Sequence, residues 1–208
     1  MAARAADTEK STDYIDAHVH VWTPDIVRFP HDKRRDGKPV PPVSFTPEQL
    51  LALAKPGGVS RIVLIQMSFY GTDNSYMLDA MKRYPAVFSG VGILDHQAPR
   101  VRDEMIRLEA FRVRGYRITP GVGTATWLDS PGMQAMWRCG AEKRIAMCPL
   151  IGPDAIDSVS RMCAKAAPFA RIAFSSLATT KGSAARAREP AKASDGVFHR
   201  LGAISILK

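Results

Sequence analysis

The sequence predicts a parallel α/β fold, and three observations predict it. Five strand-like segments alternate with five helix-like segments through the first 166 of 208 residues, which is the pattern of successive β-α units. The second strand segment, Arg61–Phe69 (RIVLIQMSF), is almost continuously apolar, as suits a parallel strand covered on both faces. The chain is 46% hydrophobic and 24% charged, enough apolar matter to bury the core of a single domain. Two shapes satisfy the pattern: an open doubly wound sheet and a (β/α)8 barrel. No G-x-G-x-x-G follows the first strand, so a dinucleotide-binding sheet loses its main support. A barrel normally takes about 250 residues, and only 42 remain after the fifth unit.

Each element has a local reason. Tyr14–Trp22 (YIDAHVHVW) is the first strand, followed by a loop rich in Pro, Asp and Arg to about Ser44. Thr46 reads as a helix N-cap, with Pro47 at the first helical position and Gln49 three residues after the cap. That helix runs to Lys55 and is stopped by Pro56-Gly57-Gly58. After Arg61–Phe69, the turn Gly71-Thr72-Asp73-Asn74 leads into a helix over Asn74–Arg83. Val87–Leu94 is the third strand. Pro99–Phe111 is a helix with apolar residues at Val101, Met105, Leu108 and Phe111, a helical period. Val113–Thr119, a helix over Pro131–Lys143, Ile145–Ile151 and a helix over Pro153–Ala166 complete the five units.

Charge and cysteine usage exclude several classes. The formal net charge is +9, but residues 171–208 carry +5 of it on seven Lys/Arg against two Asp/Glu. The body's one basic cluster, Lys33-Arg34-Arg35, has no aromatic recognition motif beside it, which argues against nucleic-acid binding. No apolar run approaches the roughly 18 residues of a membrane span. Residues 1–12 read as a disordered leader without a signal-peptide core. Cys139, Cys148 and Cys163 lack C-x-x-C spacing and read as reduced thiols of a cytoplasmic protein. Residues 173–208 form an irregular basic tail rich in Ala, Ser, Lys and Arg, with 173–196 disordered or poorly packed. The barrel domain proper is then residues 13–172.

The first strand carries the chemistry. Alternate residues share a face, so Ile15, Ala17, Val19 and Val21 face one way. Tyr14, Asp16, His18, His20 and Trp22 face the other. Barrel interiors are usually filled by Val, Ile and Leu, so a histidine pair there needs a reason. On a strand, His18 and His20 can chelate one divalent metal; on a helix they would stand about 200° apart. Two satisfied core histidines are the simpler alternative.

Here the sequence resembles a known family. I-D-A-H-V-H-V-W (Ile15–Trp22), Q-M-S-F-Y-G-T-D-N (Gln66–Asn74), V-R-G-Y-R-I (Val113–Ile118) and C-P-L-I-G-P (Cys148–Pro153) occur in this order. Together they resemble the amidohydrolase-related (amidohydrolase 2) family of metal-dependent TIM-barrel hydrolases, over about Tyr14 to Pro168. The Y-G-T-D-N turn is similar to its lactonase branch. The resemblance implies hydrolysis of C–O or C–N bonds in small lactones or carboxylated cyclic compounds by metal-activated water, with zinc or manganese as the metal. His18 and His20 match the strand-one ligands. By position, Tyr70, Asp73 and Asn74 after strand two are substrate-binding candidates, although Asp73 can equally cap the following helix. Arg117, on the same face of strand four as Gly115, can grip a substrate carboxylate with two hydrogen bonds, or serve a salt bridge. His96, after strand three, is a loop histidine with a smaller claim.

The sequence departs from the family after Ile172. The late-strand His and the strand-eight Asp that completes such sites find no match in the context of His199 or Asp195. Two imidazoles alone bind a divalent ion weakly. Five strands would leave strands one and five with open edges, which favours self-association. The sequence therefore also supports a catalytically inactive remnant from a truncated or frame-shifted reading frame, or a basic binding protein acting through its tail.

Overall fold

A computed structural model of the chain describes residues 13–33, 42–120, 126–165, 172 and 176–177. The leader 1–12, Arg34 and Arg35, His199 and Asp195, and nearly all of the tail 173–208 lie outside the described residues.

The strands are β1 Tyr14–Val19, β2 Val59–Ile65, β3 Phe88–Gly92, β4 Val113–Ile118, β5 Ala146–Ile151 and β6 Ser176–Leu177. The helices are α1 Pro47–Ala54, α2 Ser75–Arg83, α3 Val101–Glu109, α4 Pro131–Lys143 and α5 Ile156–Lys165. All strands run parallel, in the order β1-β2-β3-β4-β5-β6. Chain order equal to sheet order is the winding of a barrel rather than of a doubly wound sheet, in which the order reverses. The five β-α units make half a barrel.

Local chemistry sets most boundaries. Thr46 accepts the Gln49 N–H, and Gln49 Oε1 accepts the Thr46 N–H at 2.7 Å, a capping box with Pro47 in the first turn. After α1 a short 3-10 turn, Lys55–Gly57, ends on Gly58 at φ 78°, where glycine adopts the left-handed conformation without a steric penalty. Ser130 caps α4 by accepting the Met133 N–H, with Pro131 following.

Two expectations change. Strand five is not an open edge: β6 pairs with Leu150 and Ile151, and Ile172 bridges Met147. Two residues of the segment expected to be disordered or poorly packed, Ser176 and Leu177, are strand. The even alternation of β1 also fails. Its register against β2 slips between Asp16 and Val19, Ala17 and His18 facing the single residue Val63, a bulge of the kind that re-aims side chains beside functional sites. Asp16 pairs with Ile62, a residue of the helix-side core, so it does not simply share the histidines' face. β1 also ends at Val19, and Trp22 leaves the sheet to bridge Phe45. Among the described strands only β2 pairs with it.

The sheet has apolar matter on both sides. Between sheet and helices lie Ile62, Leu64, Phe88, Tyr116 and Met147, packed with Met77, Ala80, Met105, Leu108, Met136 and Trp137. On the inner side Ile65, Val91 and Cys148 form a separate small cluster with Val63 and Ala146. The three cysteines are free. No helix among the described residues is long and apolar enough to cross a membrane.

Candidate functional site

The site is built at the ends of β1, β2 and β4. His20 follows β1 directly, and its Nδ1 lies 2.8 Å from the Ile65 carbonyl at the end of β2. A carbonyl only accepts, so Nδ1 carries the proton and the neutral ring keeps its lone pair on Nε2. This is how a second residue prepares a histidine for a metal. His18 stands edge-on to His20, with ring centroids 5.1 Å apart. Both imidazoles titrate below the ordinary histidine value. For His18 burial contributes most, then the Arg117 charge, with Asp16 opposing. For His20 burial leads, the hydrogen bond to Ile65 opposes it, and His18 and Arg117 add to the lowering.

Arg117 is thus electrostatically coupled to both rings from β4. It is half-buried, and burial lowers its own pKa. Among the described residues its Nε is a buried donor without a partner. No ion pair between this guanidinium and a carboxylate is found among the described residues, which leaves it chemically suited to an anion. The structure therefore brings together three of the six residues the sequence singled out.

The other three sit in the scaffold. Tyr70 is 3% exposed; its hydroxyl accepts the Thr23 N–H at 3.1 Å, and its ring packs against Phe69 and Tyr76. Asp73 Oδ1 accepts the Ser75 N–H at 2.9 Å, an Asx turn one residue ahead of Asn74, the N-cap of α2. Asn74, 6% exposed, donates to the Thr72 and Ile93 carbonyls and accepts the Ile93 N–H. Gln66 adds a fourth tie, donating to the Asp73 carbonyl at 2.5 Å. His96 Nδ1 lies 3.3 Å from the Ser130 hydroxyl, which joins the loops after β3 and β4.

Sequence reasoning missed Ile65, whose contribution is a backbone carbonyl 45 residues from the ring it orients; no residue-type signal marks it. It also passed over Cys148 as an inner-face residue, although the alternation Ala146, Cys148 within β5 offered that signal.

As a metal site the donor set fits in part. Two imidazoles, one with its tautomer fixed, suit a divalent transition metal. Among the described residues no third His, Cys, Asp or Glu joins them. The lowered pKa values give one expectation. Both rings stay neutral below the ordinary value near pH 6.5, and protonation competes with a metal for the same lone pair. Zinc affinity, titrated against pH by calorimetry, is expected to hold below pH 6.5 and then fall. Replacing Arg117 with alanine is expected to move that fall to higher pH, because a lowering charge is gone.

Comparison with known proteins gives the same picture. The sequence is 29% identical over 153 residues to a 4-sulfomuconolactone hydrolase of Rhizobium radiobacter, covering 73% of this chain and 49% of that protein. The fold is similar to a probable 2-pyrone-4,6-dicarboxylic acid hydrolase of Acinetobacter baumannii, crystallised with citric acid. Its TM-score is 0.62 at 22% identity, over 73% of this chain and 54% of that one. It is also similar to a zinc-bound amidohydrolase of Burkholderia multivorans, with a TM-score of 0.58 at 16% identity, over 74% and 54% of the two chains. This chain spans about half the length of these relatives. The sequence pattern of the family described as Amidohydrolase matches residues 15–191, a span that takes in all five β-α units, the histidine pair and Arg117. With parallel strands wound in barrel order and the strand-one histidines at their expected end, the chain belongs to the amidohydrolase family.

Proposed function

We propose that this chain carries the metal-binding and substrate-gripping part of a hydrolase acting on small lactones or carboxylated cyclic compounds. One observation carries the reading: an imidazole pair converges on one inner face with a guanidinium whose buried Nε has no partner among the described residues. The lactone named for the Rhizobium radiobacter relative and the citric acid bound to the Acinetobacter baumannii protein are acidic compounds of the class such a guanidinium receives.

His18 and His20 would hold a divalent cation, zinc or manganese, with His20 presenting Nε2. Such an ion supplies a water ionised near neutral pH. Arg117 would take a substrate carboxylate by two parallel hydrogen bonds and so fix the ring's orientation. Ile65, Val91 and Cys148 form an apolar floor that keeps water from screening this contact.

The test is hydrolysis by the full chain with zinc or manganese, on a panel of carboxylated lactones and esters. His18→Ala and His20→Ala are each expected to remove metal-dependent turnover by a factor of about 100 or more. Arg117→Ala is expected to raise KM chiefly for substrates bearing a carboxylate. Protein that binds no metal and hydrolyses none of the panel, with His18→Ala changing nothing, would sink the reading. That result would favour a second one, a family fold without turnover, which rests on the absence of a third ligand among the described residues.

A further inference from the structure

Gly115 and Arg117 lie two residues apart on one face of β4. A side chain at 115 would flank the arginine stem, but glycine provides none. The space is filled from neighbouring strands. A Cβ placed on Gly115 would stand 3.1 Å from the Cys148 sulfur, 3.1 Å from the Ala146 carbonyl oxygen and 3.3 Å from Cγ2 of Val91. Cys148 is also the register partner of Arg117 across β4 and β5. Its sulfur therefore lies over Gly115, on the residue paired with Arg117 across the two strands.

That placement matters because Arg117 Nε has no hydrogen-bond partner among the described residues. With no bond at Nε, a long, flexible side chain draws more of its orientation from packing on its stem. We propose that Cys148 is a positioning residue, its sulfur backing the Arg117 stem and holding the guanidinium toward His18 and His20, where it receives a carboxylate. This rests on the reading of Arg117 as the carboxylate anchor. The thiol takes no part in chemistry: it is 3% exposed, and burial pushes it up to about 12 against the opposing charge of Arg117.

The geometry gives a specific test, because a methyl at position 115 crowds the Cys148 sulfur as well as the Ala146 carbonyl. Citrate is titrated calorimetrically into the folded full chain, with thermal melts confirming that each variant folds. Cys148→Ala empties the space and is expected to weaken citrate about fivefold or more. Cys148→Val refills it and is expected to stay within about twofold of the unaltered chain. Gly115→Ala alone displaces the sulfur and is expected to weaken citrate. The double variant Gly115→Ala with Cys148→Ala relieves the methyl's contact with the sulfur but not that with the Ala146 carbonyl, and is expected to bind citrate more tightly than Gly115→Ala alone. Should Cys148→Ala not fold alone, Gly115→Ala and the double variant decide. A double variant no better than Gly115→Ala alone overturns the proposal. So does unchanged binding in Cys148→Ala when Arg117→Ala has lost it. If the unaltered chain binds no citrate, or Arg117→Ala binds as well as it does, the reading of Arg117 itself falls and this inference with it.

Discussion

Asn74→Ala is expected to lower stability by about 2–3 kcal/mol, because it strands the N–H and C=O of Ile93 and the Thr72 carbonyl at once. The amide behaves like a short piece of strand, pairing with both backbone groups of one residue just past β3. A buried polar group that loses its partner costs more than the bond contributed, and alanine cannot replace either role. Asn74→Asp keeps the acceptor and discards the donor, so it is expected to recover only part of the loss. Urea unfolding curves with an unchanged slope would measure both. A change below about 0.5 kcal/mol for Asn74→Ala would mean that water replaces the amide, as at an ordinary surface position.

Trp137→Ala is expected to cost about 3–5 kcal/mol, the range for removing a large aromatic side chain from a filled core. Trp137 is fully buried on α4 among the residues between helices and sheet. Its indole Nε1 has no hydrogen-bond partner among the described residues, which adds a second expectation of opposite sign. Trp137→Phe keeps most of the ring volume and discards the orphaned donor. Part of its cavity cost is therefore offset, and it is expected to lie within about 1.5 kcal/mol of the unaltered chain. Thermal or chemical unfolding of the two variants checks the ordering, and a Phe variant as unstable as the Ala variant would show that the indole edge, not the aromatic volume, holds α4.

How far the sequence could be read depended on the range of the interaction. The capping box of Thr46 and Gln49, Pro131 after Ser130 and the helical period of α3 are set by residues within one turn of each other. They are legible for that reason. The parallel α/β class followed from the order of units, whereas the barrel winding followed from the family resemblance, because an open doubly wound sheet is built from the same units. The end of β5 was misjudged, since Ser176 and Leu177 have no periodic pattern around them and become strand only because β5 offers an unpaired edge. Asn74 looked like a pocket residue because it follows a strand at the catalytic end, and its type does not reveal that Ile93 consumes its amide.

The sequence by itself determined the β-α alternation, the family and the pair of histidines at the end of the first strand. Those depend on residue type and local spacing. Only the tertiary structure decided how the pair can act. The bulge in β1 comes from its pairing with β2, the proton on His20 Nδ1 from a carbonyl 45 residues away, and the guanidinium coupled to both rings from the placement of β4 three strands across the sheet. Each of these is a contact between segments whose partners no local pattern encodes, so folding had to bring them together before the site existed.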